Sequence, residues 1–159
     1  MKKMIAAFAL VLLTAPGMAA STDTAKDFSL KGLDGKEFRL SDSMGKGYIV
    51  INFWAAWCST CKEEIPELAA LMKRPGADKV LFLGVNVGDK DSKAEKFVKR
   101  YSYPYKPLMD SEKTVSKSYG VLGIPVTVII DKNGKIVFRG SRPPGNFDFV
   151  SPETQSPKR

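Results

Sequence analysis

Apolar residues fall along this chain in two rhythms. Tyr48-Ile49-Val50-Ile51-Asn52-Phe53-Trp54 and Val80-Leu81-Phe82-Leu83-Gly84-Val85-Asn86-Val87 are almost uninterrupted apolar runs, as expected of strands covered on both faces. A third such strand is expected from Gly123 to Asp131, with Pro125 at its head. Phe28-Ser29-Leu30 and Glu37-Phe38-Arg39-Leu40 alternate around the turn signal Asp34-Gly35, and Asn133-Gly134 turns the third strand into Lys135 to Gly140, so two hairpins are expected. Elsewhere the period is helical. Cys61, Ile65, Leu68, Ala69 and Met72 predict a helix from about Ser59 to Arg74, kinked at Pro66 and ended by Pro75-Gly76. Ala94, Phe97 and Val98 predict an amphipathic helix from Asp91 to Tyr101. A turn-rich stretch, Tyr103 to Pro107, leads to a short strand near Leu108. A further helix is expected from Ser111, as its cap, to Tyr119, with Gly120 as its stop. Strands alternating with helices and closing on a hairpin predict an α/β, three-layer sandwich around a mixed sheet.

The two ends carry a different pattern. Lys2 and Lys3 precede an apolar stretch from Met4 to Ala15, then Pro16-Gly17 and small residues. This is the pattern of a secretory signal with cleavage after Ala19. The stretch falls short of the ~20 residues of a spanning helix, so no stable membrane insertion is expected once the signal is removed. Left uncleaved, it would be an N-terminal membrane anchor. Residues 20–26 read as a loose polar leader, 27–140 as one domain, and 141–159, with four prolines, as an irregular or disordered tail. The expected location is periplasmic or otherwise extracytoplasmic.

Composition narrows the chemistry. Net charge is +8, falling to +6 without Lys2 and Lys3. The basic residues are scattered along the sequence, which reads as a solvated basic surface and not as a nucleic-acid-binding block. The chain has no His and only two Cys. That removes His-based hydrolase triads and His-ligated haem, and leaves a structural zinc site without further soft ligands. No cofactor or metal is expected. A disulfide closing so short a loop as Cys58-Ser59-Thr60-Cys61 removes little chain entropy, so stabilisation is a poor reason for it.

C-x-x-C by itself is shared by zinc sites and redox sites. Its place here, where a buried strand enters a helix, favours redox chemistry. Cys58 at the helix start has free N–H groups and the helix dipole to favour its thiolate, so it is expected to be the exposed nucleophile. Cys61, one turn on and facing the core, would resolve the mixed disulfide. Glu64 lies about 60° around the helix from Cys61 and about 40° from Leu68. It reads either as a half-buried carboxyl able to shuttle the proton of Cys61 or as an ordinary early-helix carboxylate; spacing does not separate the two. A cis Ile124-Pro125 bond would turn the Ile124 backbone toward an extended partner.

The run from Asn52 to Pro66 together with Gly123-Ile124-Pro125-Val126-Thr127 resembles the exported thioredoxin-like thiol–disulfide oxidoreductases, most closely the TlpA and ResA branch. The resemblance covers roughly Phe28 to Arg139. It implies a thioredoxin fold with an N-terminal β-hairpin and an added α/β insertion over Asp91 to Leu108. It also implies a redox-active Cys58–Cys61 disulfide, a cis Pro125, and a tuning role for Glu64. Trp57, Ile124 and Pro125 then form the substrate-binding surface. The implied partners are disulfide-bearing proteins, reduced for instance in cytochrome c maturation, and a membrane thiol–disulfide electron donor. Ser59-Thr60 departs from the family in lacking a proline before the second cysteine. After Arg139 too little chain remains for the usual closing helix, although Phe147 to Val150 could pack on the sheet. A peroxiredoxin would carry Thr where Ala55 stands. An exported chaperone or other binding module on the same fold is the remaining alternative, along with a disulfide-donating oxidant.

Overall fold

A computed structural model describes residues 23–146. The expected signal segment and Phe147 to Val150 lie outside the described residues. Seven strands form one mixed sheet: β1 (Ser29–Gly32), β2 (Glu37–Arg39), β3 (Tyr48–Trp54), β4 (Val80–Val87), β5 (Lys106–Asp110), β6 (Val126–Ile130) and β7 (Ile136–Gly140), in the order β2-β1-β5-β4-β3-β6-β7. The three parallel strands β3, β4 and β5 lie together, and β6 runs antiparallel to β3. The uninterrupted apolar runs occupy the middle of the sheet because only there is each face covered. The insertion's strand β5 separates the N-terminal hairpin from β4.

Alternation along β3 divides the core. Val50 and Trp54 face one layer, packed with Phe82, Ile129 and the helices α1 (Ser59–Glu63), α2 (Ile65–Leu71) and α3 (Asp91–Tyr101). Ile49, Ile51 and Phe53 face the other, with Phe28, Leu40 and the short helix α4 (Thr114–Ser118). The α/β sandwich is the expected one, with its second layer thin.

Four local features depart from the sequence reading. The expected Ser59–Arg74 helix is broken at Glu64, and Pro66 falls in the first turn of α2, where a missing N–H costs nothing. Leu40 leaves the hairpin for a 3-10 helix, Leu40–Ser43. Helix α4 begins at Thr114, and its cap is Asp110, not Ser111: the carboxylate accepts from Val115 N at 3.2 Å and Ser116 N at 2.8 Å. The leader is not loose where it is described. Ala25 N donates to Gly134 O and Ile136 N to Asp23 O, each at 2.8 Å, laying residues 23–25 against the hairpin that ends the sheet. Beyond Gly140, residues 141–146 form no helix, and Arg142 pairs with Glu67 on α2.

Candidate dithiol site

The loop between β3 and α1 is fixed from below and from the side. Trp54, the last residue of β3, is fully buried and stacks on Phe97 of α3 and on Tyr103, with ring centroids 4.8 and 4.6 Å away. Asp89, buried after β4, accepts from Ala56 N at 2.6 Å and from Asn86 Nδ2 at 2.9 Å through the same oxygen. Cys58 N closes the turn on Ala55 O. Trp57 is thereby held out from the surface, 68 % exposed.

Cys58 caps α1 and is joined to Cys61 by a disulfide, with a Cα separation of 5.3 Å. Cys61 N donates to Cys58 Sγ at 3.1 Å. With α1 only five residues long, what the helix start aims at Cys58 is this single N–H and not a long helix dipole. The sulfur is less open than the sequence suggested: Cys58 is 7 % exposed against 1 % for Cys61. The relative order holds, because the capping residue sits at the rim and Cys61 points into the core. The Ile124-Pro125 peptide is cis. The carbonyl oxygen of Ile124 lies 3.9 Å from Cys58 Sγ, so Ile124, half-buried, and Pro125, buried, border the disulfide.

Glu64 occupies the break between α1 and α2 and is 1 % exposed. It is therefore a core carboxyl and not a surface one. Oε1 accepts from Asn52 Nδ2 at 2.8 Å, while Oε2 has no partner among the described residues. Burial raises its pKa to about 7; the nearby Glu67 adds to the rise, and the Asn52 bond opposes it. Asn52 is held in turn by Tyr103, whose hydroxyl donates to Oδ1 at 2.7 Å, and by a longer contact from Nδ2 to Thr127 Oγ1 at 3.4 Å. Burial drives the Tyr103 hydroxyl well above its ordinary pKa, so it stays a donor. Sequence reasoning named Glu64 but missed Asn52, Tyr103 and Asp89. A lone polar side chain inside an apolar strand run, as at Asn52 and Asn86, was the available signal.

A mixed sheet of this order with a C-x-x-C at the β3–α1 turn and a facing cis proline defines a thioredoxin-like fold carrying a redox-capable dithiol. The chain belongs to the AhpC/TSA family, whose model matches residues 22–139. Among curated proteins it is 40 % identical over 116 residues to the thiol-disulfide oxidoreductase ResA of Geobacillus thermodenitrificans, covering 71 % of this chain and 64 % of that protein. To the ResA of Geobacillus kaustophilus it is 38 % identical over 145 residues, covering 82 % and 81 %. It is also similar to the crystal structure of a putative thiol:disulfide interchange protein DsbE from Chlorobium tepidum, with TM-score 0.68, 30 % identity, and coverage of 74 % of this chain and 82 % of that one. The chain is thus a ResA-like homologue on a thioredoxin-like fold.

Proposed function

We propose that the protein is an extracytoplasmic thiol–disulfide oxidoreductase that reduces protein disulfides. The observation that carries this is the Cys58–Cys61 disulfide set at the helix start with Cys61 N–H aimed at Cys58 Sγ and Ile124 O beside it. In the dithiol state, the Cys58 thiolate attacks one sulfur of a partner's disulfide. A Cys58–partner disulfide forms and the partner's other sulfur leaves as thiolate. Cys61 then loses its proton and attacks Cys58 Sγ, releasing the partner's first sulfur and restoring the Cys58–Cys61 bond. Two electrons pass to the partner. Glu64, with a pKa of about 7, can take up and release a proton in the neutral range, which suits it to the deprotonation of Cys61. Trp57, Ile124 and Pro125 form the surface on which an extended partner segment rests.

The resemblance to ResA supports an electron donor in the membrane and a place in cytochrome c maturation. The amino-terminal pattern supports export by a signal cleaved after Ala19. Among the described residues no helix is long and apolar enough to cross a membrane.

The test is reduction of a disulfide-bearing protein by the reduced chain, followed by Trp fluorescence. Cys58→Ser abolishes reduction, and Cys61→Ser accumulates the mixed disulfide. A Cys58→Ser variant that keeps full function in partner binding would assign the chain to the binding modules instead. Equilibration with glutathione sets direction: a midpoint far more oxidising than the substrate disulfides would overturn the reductase reading.

A further inference from the structure

The basic residues that look scattered in sequence converge in space. Trp57 borders two open grooves. One, of about 340 Å³, runs along α3 and is lined by Lys93, Lys96 and Arg100. The other, of about 230 Å³, runs toward the cis-proline loop and is lined by Lys113 and Lys117 beside Leu122 and Ile124. All five cations are exposed. Lys62 of α1 joins the first group, since its Nζ and Arg100 Cζ lie 5.2 and 5.5 Å from the same ring, that of Tyr101. Among the described residues none of the six forms a salt bridge with a carboxylate; the salt bridges there are Arg139–Asp23 and Arg142–Glu67. The single acid lining either groove, Asp89, is buried and turned onto Ala56 N and Asn86.

The placement is built into the backbone. Lys113 adopts a left-handed φ of 59°, and its stem packs over Gly88, where an added Cβ would come within 2.3 Å of Cε. Lys93, Lys96 and Arg100 stand three and four residues apart, on one face of α3. Trp57, common to both grooves, and the fully exposed Leu122 in the second supply apolar surface.

We propose that this surface selects disulfide-bearing polypeptides whose reactive cysteine is flanked by acidic side chains. The claim rests on the oxidoreductase reading above and deepens it by naming the substrate class. Carboxylates on either side of the cysteine meet cations in both grooves while an apolar neighbour covers Trp57. Complementary charge acts mainly on the encounter rate and on rejection of wrong partners.

The experiment compares short peptides, each closed by one disulfide and identical apart from flanking residues that are all Glu, all Ser or all Lys. Their reduction by the reduced protein is followed by stopped-flow Trp fluorescence, with uncharged 2-hydroxyethyl disulfide as a reference substrate. At an ionic strength of about 0.01 M the Glu peptide reacts about tenfold faster than the Lys peptide, and the difference vanishes near about 1 M. Combining Lys93→Glu, Lys96→Glu and Arg100→Glu sets three anions against the three remaining cations, so the preference for the Glu peptide is lost while the rate with 2-hydroxyethyl disulfide is unchanged. Equal rates for the Glu and Lys peptides at low salt would overturn the selectivity while leaving the oxidoreductase standing. Failure to reduce any peptide or the reference would overturn both. Because the salt series is read on the unaltered protein, a variant that does not fold leaves the claim open to refutation.

Discussion

Burial places the Glu64 carboxyl where, among the described residues, only one of its oxygens has a donor, and that desolvation makes folding favour its protonated form. Its ordinary value of 4.5 is raised to about 7. Protonated Glu64 is accommodated below its unfolded value, and that contribution is lost as pH rises through the folded value. The oxidised protein should lose about 3 kcal/mol of unfolding free energy from this group between pH values near the two figures. Glu64→Gln should remove that slope and be the more stable form at pH 8. Urea unfolding across the range checks it, and parallel curves for the two proteins would contradict the buried carboxyl. The two tyrosines just before β5 offer a second contrast. Tyr103 donates to Asn52, whereas Tyr105 Oη has no partner among the described residues. Tyr103→Phe should cost about 1–2 kcal/mol by leaving Asn52 Oδ1 bare, and Tyr105→Phe should be neutral or stabilising. Spacing along one helix sufficed to flag Glu64. Asn52 and Tyr103 escaped because their partners lie on other elements, 12 and 51 residues away.

At the scale of elements, the sequence was clearest where burial alone dictates the pattern. Strands β3 and β4 and helix α3 fall on the residues assigned from the sequence, since short β-branched and aromatic runs favour strand and a stripe of helical period favours helix. It was least clear where a side chain from outside the element sets the boundary. The break at Glu64 follows from Pro66, which cannot donate back to Lys62 and opens a new helix instead of bending the old one. The start of α4 follows from Asp110, at the end of β5, reaching over the three residues between. Ser111 has the preferred chemistry of a cap but is exposed, and the bonds come from its buried neighbour. Asp110→Ala should therefore cost about 2 kcal/mol, the worth of charge-assisted bonds to two helix N–H groups, and Ser111→Ala about 0.5 kcal/mol or less. Equal losses in the two variants would restore the serine cap.

Over the whole molecule, both ends of the described chain close the sheet on the side of β7. Residues 141–146 cross near α2, anchored by Arg142 to Glu67. Residues 23–26 cover the hairpin itself. An edge strand left bare is a template for pairing with other chains, and the leader blunts the start of this one with two backbone bonds, reinforced by the Arg139–Asp23 pair and the bond from Tyr119 Oη to Lys26 O at 2.7 Å. Nothing in the polar run Ser21 to Lys26 announces this, because backbone pairing leaves no mark on side-chain pattern. The energetics separate the two kinds of contact. The exposed Arg139–Asp23 pair is worth little, so Asp23→Ala should change stability by about 0.5 kcal/mol or less. The three bonds to backbone carbonyls act together. A chain beginning at Asp27 should lie about 2–4 kcal/mol below one beginning at Asp23, with an increased tendency to associate as the start of β7 is uncovered. Urea unfolding of both chains, with light scattering at rising protein concentration, measures the two effects. Identical curves would mean that the segment rests on the sheet without stabilising it.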